Sequence, residues 1–275
     1  MNIIDMPVLL LVGIGSIFGF GCLVGILRRR RTRVYAALTQ EQQNLIQRKS
    51  ENWHAWLCRP ADLPSFEQRI VSIPDILTAP SLAHLRLVAQ GVGRNERSYI
   101  PTHKQGGTIS YEHLHACAPD LVACYQSPVL RELVSHLVGQ PVKPTPIRDQ
   151  SSCSLLVYER PRDHIGWHYD HNFYSGRHFT VLISLINEDQ KVGGLSSACL
   201  QARVQGKDVE IPTPPNTMVL FEGAEIMHRV TKLEPDQKRV LLSMTFCTDS
   251  HAPWHRDLMR RCKDMAYYGV RALWT

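Results

Sequence analysis

The sequence has little net charge outside its first 33 residues. The chain of 275 residues carries a formal charge of +6, from 31 lysines and arginines against 25 aspartates and glutamates. Residues 1–33 hold five of the arginines and one acid, so the remainder has 26 basic against 24 acidic residues. A protein that binds nucleic acid through its phosphates presents a concentrated basic surface. The nearly neutral body therefore predicts no nucleic-acid partner.

Charge is absent altogether from Met6 to Leu27. As a helix this run would be about 33 Å long, enough to cross a bilayer core of roughly 30 Å. The arginines follow the run, whereas a cleaved signal peptide carries its positive charge before it. The sequence therefore predicts a single-pass membrane anchor with the C-terminal body on the cytoplasmic side. The alternative, a buried core helix, is disfavoured because such helices seldom have so long a stretch without charge.

Two features depend on that location. The pairs Gly15/Gly19 and Gly21/Gly25 have the Gly-x-x-x-Gly spacing that lets membrane helices approach closely, which makes a homodimer a weaker prediction. The eight cysteines lack any Cys-x-x-Cys pair, and in the cytosol they are predicted to be reduced and mostly buried.

Four segments are predicted along the chain. They are the anchor with its basic flank (1–33), an amphipathic helix and linker (34–65), the main domain with a helical first half (66–250) and a C-terminal helix (251–275). Within the first half, helices are predicted over residues 35–56, 78–90 and 128–138, a strand over residues 66–73, and a polar loop over residues 91–107.

No long helix interrupts the chain between Pro141 and Pro253. Short apolar segments separated by turn residues predict strands instead: Ser154–Tyr158, Phe179–Ile186, Cys199–Val204, Thr217–Phe221 and Val240–Phe246. Strands of this length and spacing favour a sandwich or jelly roll, the double-stranded β-helix architecture that cupins share. The predicted fold class is mainly β with flanking helices. The last helix is expected to pack four apolar side chains onto the domain: Trp254, Leu258, Met259 and Met265.

A metal site is predicted at His168 and Asp170. Residues two apart on an extended strand project from the same face, so the imidazole and the carboxylate lie side by side. A further imidazole, from His228, would complete a 2-His-1-carboxylate triad, the arrangement that binds non-heme Fe(II) and leaves positions open. The His-x-Asp pattern alone is weak evidence in a chain with 13 histidines. A zinc hydrolase with similar ligands remains an alternative.

The surrounding motifs strengthen the iron interpretation. In order they are a strand ending in Tyr158, the His168-Tyr-Asp170 motif, an apolar strand led by Thr180, the Gly193-Gly194 turn, the Pro214-Pro215-Asn216 turn before another strand, then His228 and Arg239. This order resembles the 2-oxoglutarate- and Fe(II)-dependent dioxygenase superfamily, most closely its prolyl-4-hydroxylase-like branch. The resemblance covers about the second half of the chain.

The resemblance implies the cofactors and their ligands. It assigns Fe(II) to His168, Asp170 and His228, and the distal carboxylate of 2-oxoglutarate to Arg239. A guanidinium suits that role because it grips a carboxylate through two parallel hydrogen bonds. Ascorbate is an optional accessory reductant in this interpretation. Lys238 is adjacent to Arg239 but points to the opposite face of the strand.

Two further cosubstrate contacts are predicted. Ser243 lies on the same strand face as Arg239, and Tyr158 either donates a hydrogen bond to 2-oxoglutarate or packs as an aromatic side chain. His171 and His178 lack the geometry of metal ligands and are predicted to be structural or to lie on the substrate side. Nearby aromatic residues are expected to pack, with lining of a substrate entrance as the alternative: Trp167, Tyr169, Phe173 and Tyr174.

The sequence also departs from the prolyl hydroxylases. These tend to have a tyrosine four residues after the threonine of the Thr-led strand, where this chain has Ser184. Collagen-type enzymes tend to bind the cosubstrate through lysine, where this chain has Arg239. Prolyl hydroxylation is therefore not predicted, and the substrate is left open among a protein side chain, a lipid and a small molecule.

Two functional hypotheses follow from the residues and the resemblance. The favoured one is a membrane-anchored dioxygenase that hydroxylates its substrate and releases succinate and CO2. The alternative is a catalytically silent module that binds metal or ligand beside a membrane. The triad together with Arg239 favours the enzyme, because a silent module need not retain all four residues.

Overall fold

A computed structural model describes residues 5–49, 56–58, 62–93, 96–100 and 103–269. The helices are α1 (Asp5–Lys49), α2 (Ala79–Gly91), α3 (Tyr111–Cys117), α4 (Pro119–Gln126), α5 (Pro128–Val138) and α6 (Trp254–Tyr268). The strands are β1 (Ile70–Ile73), β2 (Glu96–Ile100), β3 (Lys104–Ile109), β4 (Lys143–Pro144), β5 (Cys153–Tyr158), β6 (His164–His168), β7 (His178–Asp189), β8 (Leu200–Val204), β9 (Lys207–Ile211), β10 (Met218–Phe221), β11 (His228–Val230) and β12 (Gln237–Cys247).

The described strands form one antiparallel sheet that curls into a barrel. Its order is β1–β10–β7–β12–β5–β3–β6–β11–β8–β9, with β2 paired to β3 and β4 paired to β12. Residues of β1 and of β8 and β9 line one groove, so the two ends of the sheet approach each other. The predicted class, mainly β with a jelly-roll-like core and flanking helices, is confirmed at this level.

The two longest strands carry the core on both faces. Along β7, Ile183 belongs to the apolar cluster under the helices, whereas Leu182 belongs to the cluster inside the barrel. On β12, Leu242 and Leu241 alternate in the same way. A strand buried on both faces is apolar throughout rather than alternating, which explains why these segments were identifiable from the sequence.

The ends of helix α5 are set by residues at its two termini. The Ser127 hydroxyl accepts a hydrogen bond from the Leu130 amide at 3.2 Å, and Pro128 occupies the first turn. Gly139 ends the helix with φ of 71°, a left-handed conformation that glycine adopts without strain. Residues 128–138 were predicted as a helix on these signals, and the prediction is confirmed.

The polar loop predicted over residues 91–107 is wrong over most of its length. Strands β2 (Glu96–Ile100) and β3 (Lys104–Ile109) pair in antiparallel register, and β3 lies between β5 and β6 in the centre of the sheet. Gly106 and Gly107 made this segment resemble a loop, because glycine weakens a strand in isolation. Pairing with strands that are distant in sequence overrides that local preference.

The expected packing of α6 is also wrong. Trp254 is 79% exposed, and Leu258, Met259 and Met265 are exposed as well. The helix instead buries its polar face, where Arg260 donates to the Asp264 carboxylate at 2.8 Å and to the Arg148 carbonyl at 2.8 Å. Contacts with distant residues, namely the Arg148 carbonyl and the Asp149 carboxylate that lies 3.5 Å from Lys263, therefore decided the orientation of α6, and the apolar periodicity of the helix could not reveal them.

Helix α1 is continuous and docks on the body through its second half. Arg31 donates two hydrogen bonds to the Glu112 carboxylate, at 3.1 and 3.0 Å, and the Tyr111 hydroxyl donates to Gln42 at 2.6 Å. The helix predicted over residues 35–56 is thus present as far as Lys49, and residues 50–55 lie outside the described part of the chain.

The membrane anchor is not supported. Among the residues whose side chains the structure places, no helix has both the length and the apolarity needed to cross a membrane. The side chains of residues 5–18 lie outside that set. The glycine-mediated dimer has no support either, and it stays a prediction. All eight cysteines are free, but only Cys124, Cys153 and Cys247 are buried, so the prediction that most are buried is wrong.

Candidate active site

The three predicted metal ligands meet at one point inside the barrel. His168 ends β6 and His228 begins β11, and the two residues lie directly opposite each other in antiparallel register. The Oδ1 atom of Asp170 is 3.7 Å from Nε2 of His168 and 3.8 Å from Nε2 of His228. All three ligand atoms lie within 4.8 Å of one another, and no other such cluster occurs in the described part of the chain.

Backbone carbonyls orient both imidazoles. Nδ1 of His168 lies 2.8 Å from the Gly166 carbonyl oxygen, and Nδ1 of His228 lies 2.9 Å from the Ile226 carbonyl oxygen. A carbonyl only accepts, so each Nδ1 must carry the hydrogen. The Nε2 lone pairs therefore point towards the shared centre, which is the tautomer that a metal requires.

Asp170 is held both through its carboxylate and through its backbone. The Thr180 hydroxyl donates to Oδ2 at 2.6 Å, and the Asp170 amide donates to the Gly223 carbonyl oxygen at 2.9 Å. Oδ2 is thereby occupied, and Oδ1 faces the two histidines. A Cβ atom built on Gly223 would overlap the Asp170 side chain, so this close approach requires glycine.

The electrostatics favour the forms that bind a metal. Burial lowers the pKa of His168 to about 4, and the neighbouring His228 acts in the same direction. Burial by itself would raise the pKa of Asp170, but the two imidazoles and the Thr180 hydroxyl outweigh it and hold that pKa below its usual value. At neutral pH the site thus offers a neutral imidazole beside an ionised carboxylate, as divalent metal binding requires.

Arg239 points into the protein rather than into solvent. It is fully buried on β12, directly across from Tyr158 on β5, with its guanidinium carbon 6.0 Å from the tyrosine ring centre. Nη2 donates to the Thr213 hydroxyl at 3.0 Å, whereas Nε and Nη1 have no hydrogen-bond partner among the described residues. Unpaired buried donors of a planar cation fit an incoming carboxylate. Lys238, as predicted, does not share this burial.

Ser243 and Tyr158 both line the cavity that contains the triad, whose volume is about 240 Å³. Burial raises the pKa of Tyr158 to about 12, although Arg239 acts in the opposite direction, so the phenol keeps its proton at neutral pH. A protonated phenol can donate a hydrogen bond to a cosubstrate. Tyr158 and Ser243 thus line the cavity in which a cosubstrate would bind, and their contacts with 2-oxoglutarate stay predictions.

Only some of the remaining sequence candidates line the cavity. His178 is buried and His171 exposed, and both line the cavity, as does Tyr169. Trp167 instead lies between Arg203 and Arg229, whose guanidinium carbons are 5.1 and 4.6 Å from its ring centre. Phe173 and Tyr174 are buried.

Several cavity residues were not predicted from the sequence. They come from the unrecognised strand β3 and from the inverted helix α6: Lys104, Thr108, Lys263, Tyr267 and Tyr268. No motif distinguishes them, because they reach the site only through strand pairing and helix docking. Gly223 had a local signal, since it lies five residues before His228 within the motif region, but its contact with Asp170 is tertiary.

Comparisons with known proteins agree with this geometry. The family described as halogenase D matches residues 86–267, about two thirds of the chain. The non-heme α-ketoglutarate-dependent epimerase SnoN from nogalamycin biosynthesis superposes with a TM-score of 0.53 at 12% identity, over 74% of this chain and 80% of that one. A 2OG-Fe(II) oxygenase family oxidoreductase from Burkholderia pseudomallei gives a TM-score of 0.52 at 15% identity, over 68% and 89%. Comparison with curated proteins finds no match.

Another structure supports the same fold. AviO1 from Streptomyces viridochromogenes superposes with a TM-score of 0.52 at 15% identity, over 67% of this chain and 92% of that one. Sequence identities this low show a shared fold, whereas the family match covers the strands that carry the triad. The chain therefore belongs to the halogenase D family and has the fold of the 2-oxoglutarate- and Fe(II)-dependent oxygenases.

Proposed function

We propose that the protein is an Fe(II)- and 2-oxoglutarate-dependent dioxygenase that hydroxylates its substrate. The main support for this proposal is that the ligand atoms of His168, Asp170 and His228 all lie within 4.8 Å of one another. Two imidazoles and a carboxylate suit Fe(II) and leave the remaining positions open. When bound, Fe(II) and 2-oxoglutarate supply O2 activation, coupled to release of succinate and CO2.

The protein's own contribution is to orient the cosubstrate and to keep water out. The unpaired donors of Arg239 would grip the distal carboxylate of 2-oxoglutarate. Tyr158, which lies across from Arg239, and Ser243 line the cavity that contains the triad. A buried guanidinium holds a carboxylate firmly, because few waters compete for the hydrogen bonds. Leu182 and Leu200 line the cavity and belong, with Leu241, to one buried apolar cluster inside the barrel.

Halogenation is the second candidate, favoured by the family description. Asp170 argues for hydroxylation instead. His168, Asp170 and His228 would hold the metal, and 2-oxoglutarate and O2 would need the positions that these three residues leave open. A halide would need a further position, which the Asp170 carboxylate, held by Thr180 and against Gly223, would occupy. Hydroxylation is therefore the function that the geometry favours.

The direct test is succinate formation from 2-oxoglutarate by protein loaded anaerobically with Fe(II) and then exposed to O2. His168→Ala and Asp170→Ala should abolish it. Lys238→Met is the matched control, because it removes a charge next to Arg239 from the outer face of the same strand, and it should leave turnover unchanged. Two other outcomes would support the alternatives. Metal binding by the wild-type protein without any succinate formation would support a catalytically silent module, whereas hydrolase activity with zinc and no requirement for 2-oxoglutarate would support a zinc hydrolase.

The substrate class is open among a protein side chain, a lipid and a small molecule. Proteome and metabolite comparisons with and without the active protein, searching for the gain of one oxygen atom, would identify it. The Asp170→Ala protein is the appropriate control for that comparison, because it should bind substrate without oxidising it.

A further inference from the structure

The cavity contains a buried lysine that the proposed chemistry does not use. Lys104 lies on β3, is 5% exposed and lines the cavity together with the triad. Its ammonium donates a hydrogen bond to the Thr108 hydroxyl at 2.8 Å and lies 4.9 Å from the centre of the Tyr267 ring. An ammonium carries three donors, so this single hydroxyl leaves capacity for further acceptors. In the described part of the chain it forms no ion pair with a carboxylate.

A second lysine in the same cavity provides the comparison. Lys263, on α6, is paired with Asp149 at 3.5 Å and with Asp264 at 3.1 Å, and it donates to the Ser151 hydroxyl at 2.7 Å. Its charge is therefore compensated by the protein. The two lysines are close enough to repel each other, which makes the missing partner of Lys104 more unfavourable still.

A buried cation without a counter-ion destabilises a fold, and such groups normally occur with a partner. Arg239 is proposed to pair with the cosubstrate, whereas Lys104 has no carboxylate partner among the described residues and bonds only to the Thr108 hydroxyl. Tyr267 and Tyr268 of α6 close the same region of the cavity.

We infer that the Lys104 ammonium binds a carboxylate or phosphate group of the substrate, so that the substrate carries an anionic group near its reacting part. The Thr108 hydroxyl positions the ammonium, and Tyr267 covers it. This inference rests on the proposed function, because it assigns to the substrate the part of the cavity that the metal and 2-oxoglutarate leave free. Lys104 is on this account a specificity-determining residue rather than a metal or cosubstrate ligand.

The test measures binding of simple anions, so it does not require the substrate to be known. Propionate, inorganic phosphate and uncharged propionamide are titrated by calorimetry into anaerobic protein loaded with Fe(II) and 2-oxoglutarate, and separately into the metal-free protein. Propionate or phosphate should bind the wild type in the millimolar range, and propionamide should not. Lys104→Met should weaken anion binding by about 10- to 100-fold, as expected for loss of a charge-assisted hydrogen bond. The tighter of the two anions identifies the group.

Lys207→Met is the control, because Lys207 is an exposed lysine on β9 and its loss changes the net charge equally. Lys104→Gln provides a second variant if Lys104→Met folds poorly. Equal anion binding by wild type and both Lys104 variants, or no anion binding by the wild type, would overturn the inference. So would a rise in the 2-oxoglutarate requirement of the Lys104 variants, since the lysine would then hold the cosubstrate. These outcomes are distinguishable from a failure of the proposed function, because in that case the wild-type protein would form no succinate.

Discussion

Asp170 and Gly223 are packed so closely that a methyl group on the glycine would overlap the aspartate side chain. The Asp170 amide also donates to the Gly223 carbonyl oxygen at 2.9 Å, so the contact fixes both the backbone and the side chain of the aspartate. The segment before β11 thus sets the position of a ligand that follows β6. The two histidines face each other across paired strands, and the carboxylate is held in place by this separate contact.

Gly223→Ala should therefore weaken metal binding without unfolding the domain. Displacement of Asp170 is expected to reduce Fe(II) affinity by about 10- to 100-fold, as for other changes around metal ligands. A calorimetric titration with Fe(II) under anaerobic conditions measures the affinity. Gly93→Ala is the matched control, since a Cβ there meets nothing within 4 Å. Wild-type affinity in Gly223→Ala would show that the aspartate is free to move and that the contact has no role.

Thr180→Val should have a related but smaller effect. The substitution keeps the shape of the side chain and removes the hydroxyl that donates to Oδ2 of Asp170 at 2.6 Å. Fe(II) affinity is expected to fall by about tenfold, because the carboxylate loses its orientation. Thr180→Ser retains the hydroxyl and should stay within a few-fold of the wild type. If both variants bind alike, the hydrogen bond is not what orients the carboxylate.

Arg239→Met should raise the 2-oxoglutarate concentration needed for half-maximal turnover by about 100-fold or more. The change removes the unpaired donors Nε and Nη1, and a charge-assisted pair of hydrogen bonds contributes strongly to binding in a buried site. Steady-state succinate formation over a range of 2-oxoglutarate concentrations gives the value. Lys238→Met should not change it, and an unchanged requirement in Arg239→Met would remove Arg239 from the cosubstrate site.

Lys104→Met should stabilise the ligand-free protein in a pH-dependent way. Burial lowers the pKa of Lys104 from 10.5 to about 8, so the folded state disfavours the charged ammonium. The penalty is complete below about pH 8 and disappears as the pH rises through the unfolded-state value, since the unfolded chain then loses its proton too. A shift of this size corresponds to a gain on the order of 3 kcal/mol for the variant near neutral pH. Urea unfolding at neutral pH and near pH 10 measures the difference, which should shrink at the higher pH.

Asp170→Gly should convert the site into one that responds to halide. Loss of the carboxylate opens a metal position, so 2-oxoglutarate affinity in the variant should depend on chloride or bromide concentration. In the wild type, where Asp170 fills that position, 2-oxoglutarate affinity is expected to be independent of halide at constant ionic strength. Titration of each protein with 2-oxoglutarate, once in chloride and once in acetate buffer, measures the effect of halide on the affinity. A halide dependence in the wild type would favour halogenation over hydroxylation.

The local pattern of the sequence was sufficient for much of the site. The two-residue spacing predicted, from strand alternation, that the side chains of His168 and Asp170 lie side by side, and they do so although Asp170 follows β6 rather than lying on it. The order of the motifs, and the family resemblance that this order carries, added His228 and the Thr-led strand. Arg239 was likewise distinguished from Lys238 by the face of a strand that neighbouring apolar residues identify. The buried strands were recognisable because a segment that is covered on both faces is apolar along its length.

Only the tertiary structure decided the rest of the cavity. β3 is a strand because β5 and β6 pair with it, although its own glycines favour a loop, and this pairing brings Lys104 to the site. Helix α6 turns its charged face inward because Asp149 and Arg148, distant in sequence, satisfy Lys263 and Arg260 there. Hydrogen bonds and ion pairs between distant segments have no local pattern in the sequence. The three proposed metal ligands were therefore predictable from motifs in the chain, whereas other residues of the cavity, Lys104 among them, became apparent only in the fold.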